Sequence, residues 1–215
     1  MPSENRIDNY ELGHVRAKEM FLAQSAQVMA DRCQMEYDKS KGIILAPYLG
    51  TDYIVDCKTA IVTDAASGEP AERRESIDIL HHLSFSQDGV KVIGELKPFY
   101  ALKGVGHFYP AFQQSVMPRL TGAFAGKMGS FIAAAEKLGG MVTGHGDAAA
   151  TLNLFPIVPI EYIMWDADDE FPCTANILFD VSITSATHPE DVPGLGAYGA
   201  FKLIQAAFGG DIMQF

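Results

Sequence analysis

Trp165-Asp166-Ala167-Asp168-Asp169-Glu170-Phe171-Pro172 sets the only tryptophan of the chain beside four carboxylates, between two apolar stretches. Such a density of negative charge is costly unless water or a cation offsets it. Calcium and magnesium take oxygen ligands, so Asp168, Asp169 and Glu170 are candidate metal ligands within the acidic loop Asp166 to Glu170. The calcium-loop pattern itself fails, because Phe171 stands where the sharp turn needs glycine and Ile177 where the closing glutamate belongs. The alternative is an acidic hairpin connection whose Asp side chains bond their own backbone.

Two further acidic positions extend the candidate site. Asp180 ends the next strand-like run, and His188-Pro189-Glu190-Asp191 precedes the last helix, where Asp191 reads as a cap. If these loops meet at one end of a sheet, then Trp165, Asp168, Asp169, Glu170, Asp180, His188 and Glu190 form the rim of a metal or acid-base site. His188 or His145 would be the acid-base group. Strand alternation predicts a largely buried Trp165, with the following carboxylates facing outward.

Other motif-like stretches lack the context their chemistry needs. Gly194-Leu195-Gly196-Ala197-Tyr198-Gly199 spells a dinucleotide fingerprint, but only sixteen residues follow it, too few for the second strand that carries the ribose-binding acid. Its glycines are expected to allow close helix packing. Gly144-His145-Gly146-Asp147-Ala148-Ala149 precedes a strand-like run rather than a helix, so it reads as a turn. Gly122 to Lys127 is one residue short of a phosphate loop, and no nucleophile elbow occurs. His81 and His82 are adjacent and diverge by about 100° on a helix, which suits a cap, core or surface position better than a shared ion. Cys33, Cys57 and Cys173 are scattered, so they are expected to be buried thiols with no disulfide and no zinc.

The elements that must position these residues can be sketched from periodicity. Asp8 and Glu11 resemble a capping box ahead of Val15, Leu22, Ala26, Met29 and Cys33 on one helical face, with Gly42 as the stop. Short β-branched runs at Ile43 to Tyr48, Tyr53 to Cys57 and Ala60 to Thr63 predict an antiparallel meander. Ile77, Leu80 and Ser84 mark a helix, and Val90 to Ile93 a short strand. Phe112, Val116, Leu120 and Phe124 predict a helix that Pro118 must kink or restart. Phe131, Ala134, Ala135 and Leu138 mark another, closed by Gly139-Gly140. Thr151 to Phe155, Pro159 to Trp165 and Asn176 to Val181 read as central strands, apolar on both sides. Tyr198, Phe201, Ile204 and Phe208 form the stripe of a last helix.

The expected fold is therefore α+β: a single domain over residues 1–215, with a mixed or antiparallel sheet and packed helices sharing one core. Composition bounds the function. The 215 residues are 48% hydrophobic and 20% charged, ordinary for a globular chain, and carry a net charge of -11. That charge repels nucleic acid and anionic lipid. No apolar run approaches the ~18 residues of a membrane span, and the opening Met1-Pro2-Ser3-Glu4-Asn5 has no signal-peptide character, so a cytoplasmic location is expected.

Gly146-Asp147, Leu154-Phe155-Pro156-Ile157-Val158-Pro159, Trp165 with Asp168-Asp169-Glu170-Phe171-Pro172, Ile177-Leu178-Phe179-Asp180 and Glu190-Asp191 together resemble an uncharacterised domain family of anaerobic bacteria and archaea. The similarity extends over most of the chain, including Ile79-Leu80-His81-His82-Leu83 and Gly94-Glu95-Leu96. Some relatives carry an iron–sulfur domain of the corrinoid-protein type. The resemblance thus implies a cofactor- or ligand-binding accessory protein in anaerobic redox or corrinoid-linked metabolism, with an iron–sulfur or corrinoid protein as partner. It assigns no catalytic residues. The residues themselves leave two other readings open: a metal-dependent hydrolase or lyase built on the acidic loop, and a structural or assembly subunit.

Overall fold

The structure is a computed structural model that describes residues 9–105 and 109–210. Two helices open it, α1 (Asn9–Leu22) and α2 (Ala26–Cys33). The single apolar face expected over this stretch is broken by the turn between them. Ala17, Phe21, Met29, Ala30 and Cys33 are buried, while Val15 and Leu22 are exposed. Ala17 and Phe21 are four apart and so share the inward face of α1, from which Val15 and Leu22 diverge. Asp8, the expected cap, lies outside the described residues.

The meander follows as β1 (Glu36–Asp38), β2 (Ile43–Tyr48), β3 (Thr51–Asp56) and β4 (Val62–Asp64), an antiparallel sheet in sequence order. Strict alternation along β2 buries Ile44, Ala46 and Tyr48. Leu49 (φ 44°) and Gly50 (φ 76°) make the two-residue turn whose positive dihedrals match the strand twist. α3 (Arg73–Phe85) comes next. Val90 to Ile93 is irregular rather than a strand, because the N–H groups of Ile93 and Gly94 go to the Asp180 carboxylate instead of a ladder. The strand is the following β5 (Leu96–Pro98).

α4 (Tyr109–Phe124) runs through Pro118 without restarting, burying Phe112, Val116, Leu120 and Phe124. Pro118 and Gln114 both lie on its exposed side, where the carbonyl that the proline leaves unpaired meets water. After α5 (Met128–Lys137) come β6 (Met141–Thr143), β7 (Ala148–Phe155), β8 (Val158–Trp165) and β9 (Thr174–Asp180), then α6 (Ile183–Ala186) and α7 (Val192–Phe208). These strands form a second antiparallel sheet, ordered β5-β9-β8-β7-β6. The three longest strands are central, as their two-sided apolar character predicts. The fold is α+β, and one hydrophobic core runs through both sheets and the helices. No helix among the described residues is long and apolar enough to cross a membrane.

The glycines of α7 seat it on the second sheet. A Cβ at Gly196 would stand 2.7 Å from Phe179 Cζ, and one at Gly199 would overlap the Tyr162 hydroxyl, which donates to Gly196 O at 3.0 Å. The buried line of α7 therefore follows Leu195, Gly196, Gly199 and Leu203, and the expected stripe ends in an exposed Phe208. Helix α4 meets Phe179 through Phe112, while Gly140, just after α5, abuts Leu152. By register these contacts fall on the face that carries Ile160, Tyr162 and Met164 of β8. The opposite face carries Glu161, Ile163 and Trp165, and its Met141, Asn153, Trp165 and Thr174 are exposed.

Candidate functional site

The residues expected to form one rim fall into two groups at opposite ends of the second sheet. Trp165, the last residue of β8, is 41% exposed rather than buried. It pairs with Thr174 at the open sheet end, on the face away from the helices, so alternation points it outward. In the loop beyond, Asp168 Oδ1 accepts from Glu170 N at 2.8 Å and Phe171 N at 2.7 Å, and these backbone bonds hold its carboxyl below the usual range. Asp166 Oδ1 accepts from Gly126 N and Ala167 N, both at 2.8 Å. The hairpin-connection alternative thus describes how Asp168 is used; Asp169 and Glu170 are exposed beside it.

Asp180 closes the other end of the seven-residue β9, about 20 Å from that loop. Its carboxylate accepts from Ile93 N, Gly94 N, Ser182 N and Ser182 Oγ. Burial pushes the carboxyl up, but the bonds from Ser182 and the loop N–H groups outweigh it and the net shift is downward. His188 lies beyond, its Nδ1 accepting from Glu190 N at 3.3 Å and its ring 4.6 Å from Phe85. Glu190 is exposed. Among the described residues no group of three His, Cys, Asp or Glu side chains is arranged to hold a metal ion. Cys33 is buried; Cys57 and Cys173 are half-buried, and all three are free thiols.

Two polar constellations escaped the sequence. The first lines the seam between α3, the first sheet and α7. Tyr48 OH and Arg74 Nε both donate to Asp78 Oδ2 at 2.8 Å, and Tyr198 OH donates to Glu75 Oε1 at 2.6 Å, with Lys202 Nζ at 3.5 Å. Burial raises Asp78 above the usual carboxylate range and pushes both phenols up. Asp191 makes no side-chain cap; instead it accepts from His81 Nδ1 at 2.8 Å. His82 is a core residue, stacked on Phe155 at 4.0 Å, with Nδ1 donating to Ala186 O at 2.8 Å, and burial lowers it to about 3. One signal was available: Glu75, Asp78 and His82 share the inward side of a helix that also buries Ile79 and Leu83.

The second constellation lies on the face opposite the helices. Glu161 is 1% exposed, and its Oε1 accepts from Thr143 Oγ1 at 2.6 Å and His145 Nδ1 at 2.9 Å. Register explains the reach: Glu161 and Ile163 lie beside Thr151 and Ala149 of β7, and small Ala149 separates Ile163 from Thr143. Glu161 Oε2 is buried without a partner among the described residues. The His145 side chain is 63% exposed. It sits in the turn from β6 to β7, where Gly146 (φ 57°) comes so close to Met164 O and Ile163 that no side chain would fit.

A family model described as a domain of unknown function (DUF3786) matches residues 25–202, which includes both constellations. No curated protein and no solved structure matches the chain.

Proposed function

Because the chain belongs to the DUF3786 family of domains of unknown function, we propose its function from its own geometry: it binds a small-molecule ligand or cofactor on the helix-free face of the second sheet. It acts there as an accessory protein. One observation carries this reading. Glu161 is buried together with Ala149 and Ile163 in a sheet face whose Met141, Asn153, Trp165 and Thr174 are exposed, and it holds an exposed imidazole. Burying a carboxyl group costs several kcal/mol unless it is well paired, so a buried glutamate with one oxygen unpartnered is an expensive way to support a surface that binds nothing.

The sequence resemblance to proteins of anaerobic bacteria and archaea, some with an iron–sulfur domain of the corrinoid-protein type, favours anaerobic redox or corrinoid-linked metabolism in the cytoplasm. An iron–sulfur or corrinoid protein would be the partner, since the three separated cysteines offer no cluster-binding run. The metal-dependent enzyme reading is less favoured, because Asp168 is engaged by its own loop and Asp180 lies at the far end of its strand. Native mass spectrometry of protein purified without exposure to oxygen from its native source tests the proposal. A retained small molecule, lost when the sheet face is altered by Met141→Glu and Trp165→Glu, supports it; protein that carries no ligand and responds to no cofactor fraction from that source refutes it.

A further inference from the structure

We propose that the cleft under residues 87–94 is a second binding site, apart from the Glu161 face, and that it takes a small aliphatic monocarboxylate. The segment forms an arch pinned at both ends to the chain around the end of β9. Gln87 N donates to Ser185 O at 3.0 Å, while Ile93 N and Gly94 N donate to the Asp180 carboxylate at 3.1 and 2.6 Å. Gly89 (φ 75°) and Gly94 (φ 81°) supply the positive dihedrals that bend the chain between these pins. The arch leaves a cleft of about 360 Å³ over Val181, Ser182 and Ser185. That volume lies at the lower end of the roughly 300–1,000 Å³ typical of small-ligand sites.

The charges around the cleft select its ligand. Asp88, on the arch, accepts from Arg32 Nε at 2.6 Å, and Glu95, just beyond it, pairs with Lys97 Nζ at 2.8 Å. Asp180 is 1% exposed, its carboxylate occupied by four donors. Lys91 lines the cleft and, among the described residues, has no carboxylate partner. The net charge of -11 does not cancel it, because exposed charges farther off than a Debye length of about 8–10 Å are largely screened. One uncompensated cation suits one carboxylate, to whose oxygens the Ser185 hydroxyl and the Gln87 amide can also donate. The rest of the lining calls for an apolar body. Val90 and Val181 flank the cleft with Ile93, which is 64% exposed, so an aliphatic chain laid there takes from water a side chain that the fold leaves out.

The test is titration of hexanoate into isotope-labelled protein, followed by amide chemical shifts, with hexylamine and hexanol as controls of the same chain length. The expected result is saturable binding of millimolar hexanoate that moves the amides of Lys91, Val181 and Ser185, with both controls about tenfold weaker or more. Lys91→Met keeps the length of the side chain and removes its charge, and should weaken hexanoate about tenfold or more. Lys91 is exposed, so this variant leaves the fold intact. Met141→Glu with Trp165→Glu, on the helix-free face, should leave hexanoate binding unchanged, so the two sites stand or fall separately. Equal binding of hexylamine, an unchanged affinity in Lys91→Met, shifts confined to the helix-free face, or no saturable shift at all overturns the assignment.

Discussion

Tyr198 of α7 stacks on Tyr48 of β2 with ring centroids 4.8 Å apart and planes 8° from parallel. Phe155 covers the other face of Tyr48 at 4.6 Å, and His82 covers Phe155. The column ties together both sheets, α3 and α7. Each phenol also donates to a buried carboxylate of α3, so the stack and the polar seam are one structure.

Removing one hydroxyl from that column separates its polar contribution from its packing. Tyr48→Phe keeps the stack but leaves Asp78 with Arg74 as its remaining side-chain donor, and a cost of about 1–3 kcal/mol is expected. Tyr48→Ala also opens a cavity and should cost about 3–5 kcal/mol. Urea unfolding of the two variants beside the parent measures both. Equal losses would mean that the hydroxyl carries the whole effect.

His82 predicts a pH dependence with a definite sign. Its folded pKa of about 3 lies below the ordinary 6.5, so between those values the unfolded chain binds a proton that the folded one does not. Stability is therefore complete above pH 6.5 and falls as pH drops, by about 1.4 kcal/mol per unit from this group. Asp78, raised in the folded state, opposes the trend just above the ordinary carboxylate value. His82→Phe, which keeps a ring against Phe155, should flatten the slope between about pH 6 and pH 4.5 in denaturant titrations. An unchanged slope in that variant would rule His82 out as its source.

Glycines on different faces of helices should respond oppositely to the same change. Gly196→Ala would drive a methyl group into Phe179, and overpacking of this kind costs about 1–3 kcal/mol. Gly122→Ala in α4 meets nothing within 4 Å and should stabilise by about 0.5–1 kcal/mol through helix propensity alone. Thermal melts of both variants decide it.

Magnesium, calcium or manganese should move neither the melting temperature nor the fluorescence of Trp165, because Asp168 is already engaged by its own loop. An Asp168→Asn, Asp169→Asn variant should behave like the parent in the same titration. Trp165 itself should be readily quenched by acrylamide, in keeping with its exposure. A saturable metal response that the double variant loses would restore the acidic loop as a ligand platform.

Features governed by neighbours along the chain were legible in the sequence. The alternation of β2, the fourth-residue repeat of α4, the central strands and the packing role of the α7 glycines follow from backbone periods of 2 and 3.6 and from the absence of a Cβ. Trp165 shows where that reasoning stops: alternation separates the two faces of β8, but only the docking of the helices decides which face is covered. The candidate site was divided for a similar reason, since β9 runs its full length between the acidic loop and Asp180.

The sequence by itself determined an acidic α+β chain and most of its strands. Tertiary structure alone decided the chemistry. Tyr198 and Glu75 are 123 residues apart and Tyr48 and Asp78 are 30 apart, while Glu161 finds His145 only because β6 and β8 flank the small Ala149. Side-chain periodicity says which residues share a face. Which faces meet depends on strand order and helix docking, and these are set by burial of the whole core rather than by any local run.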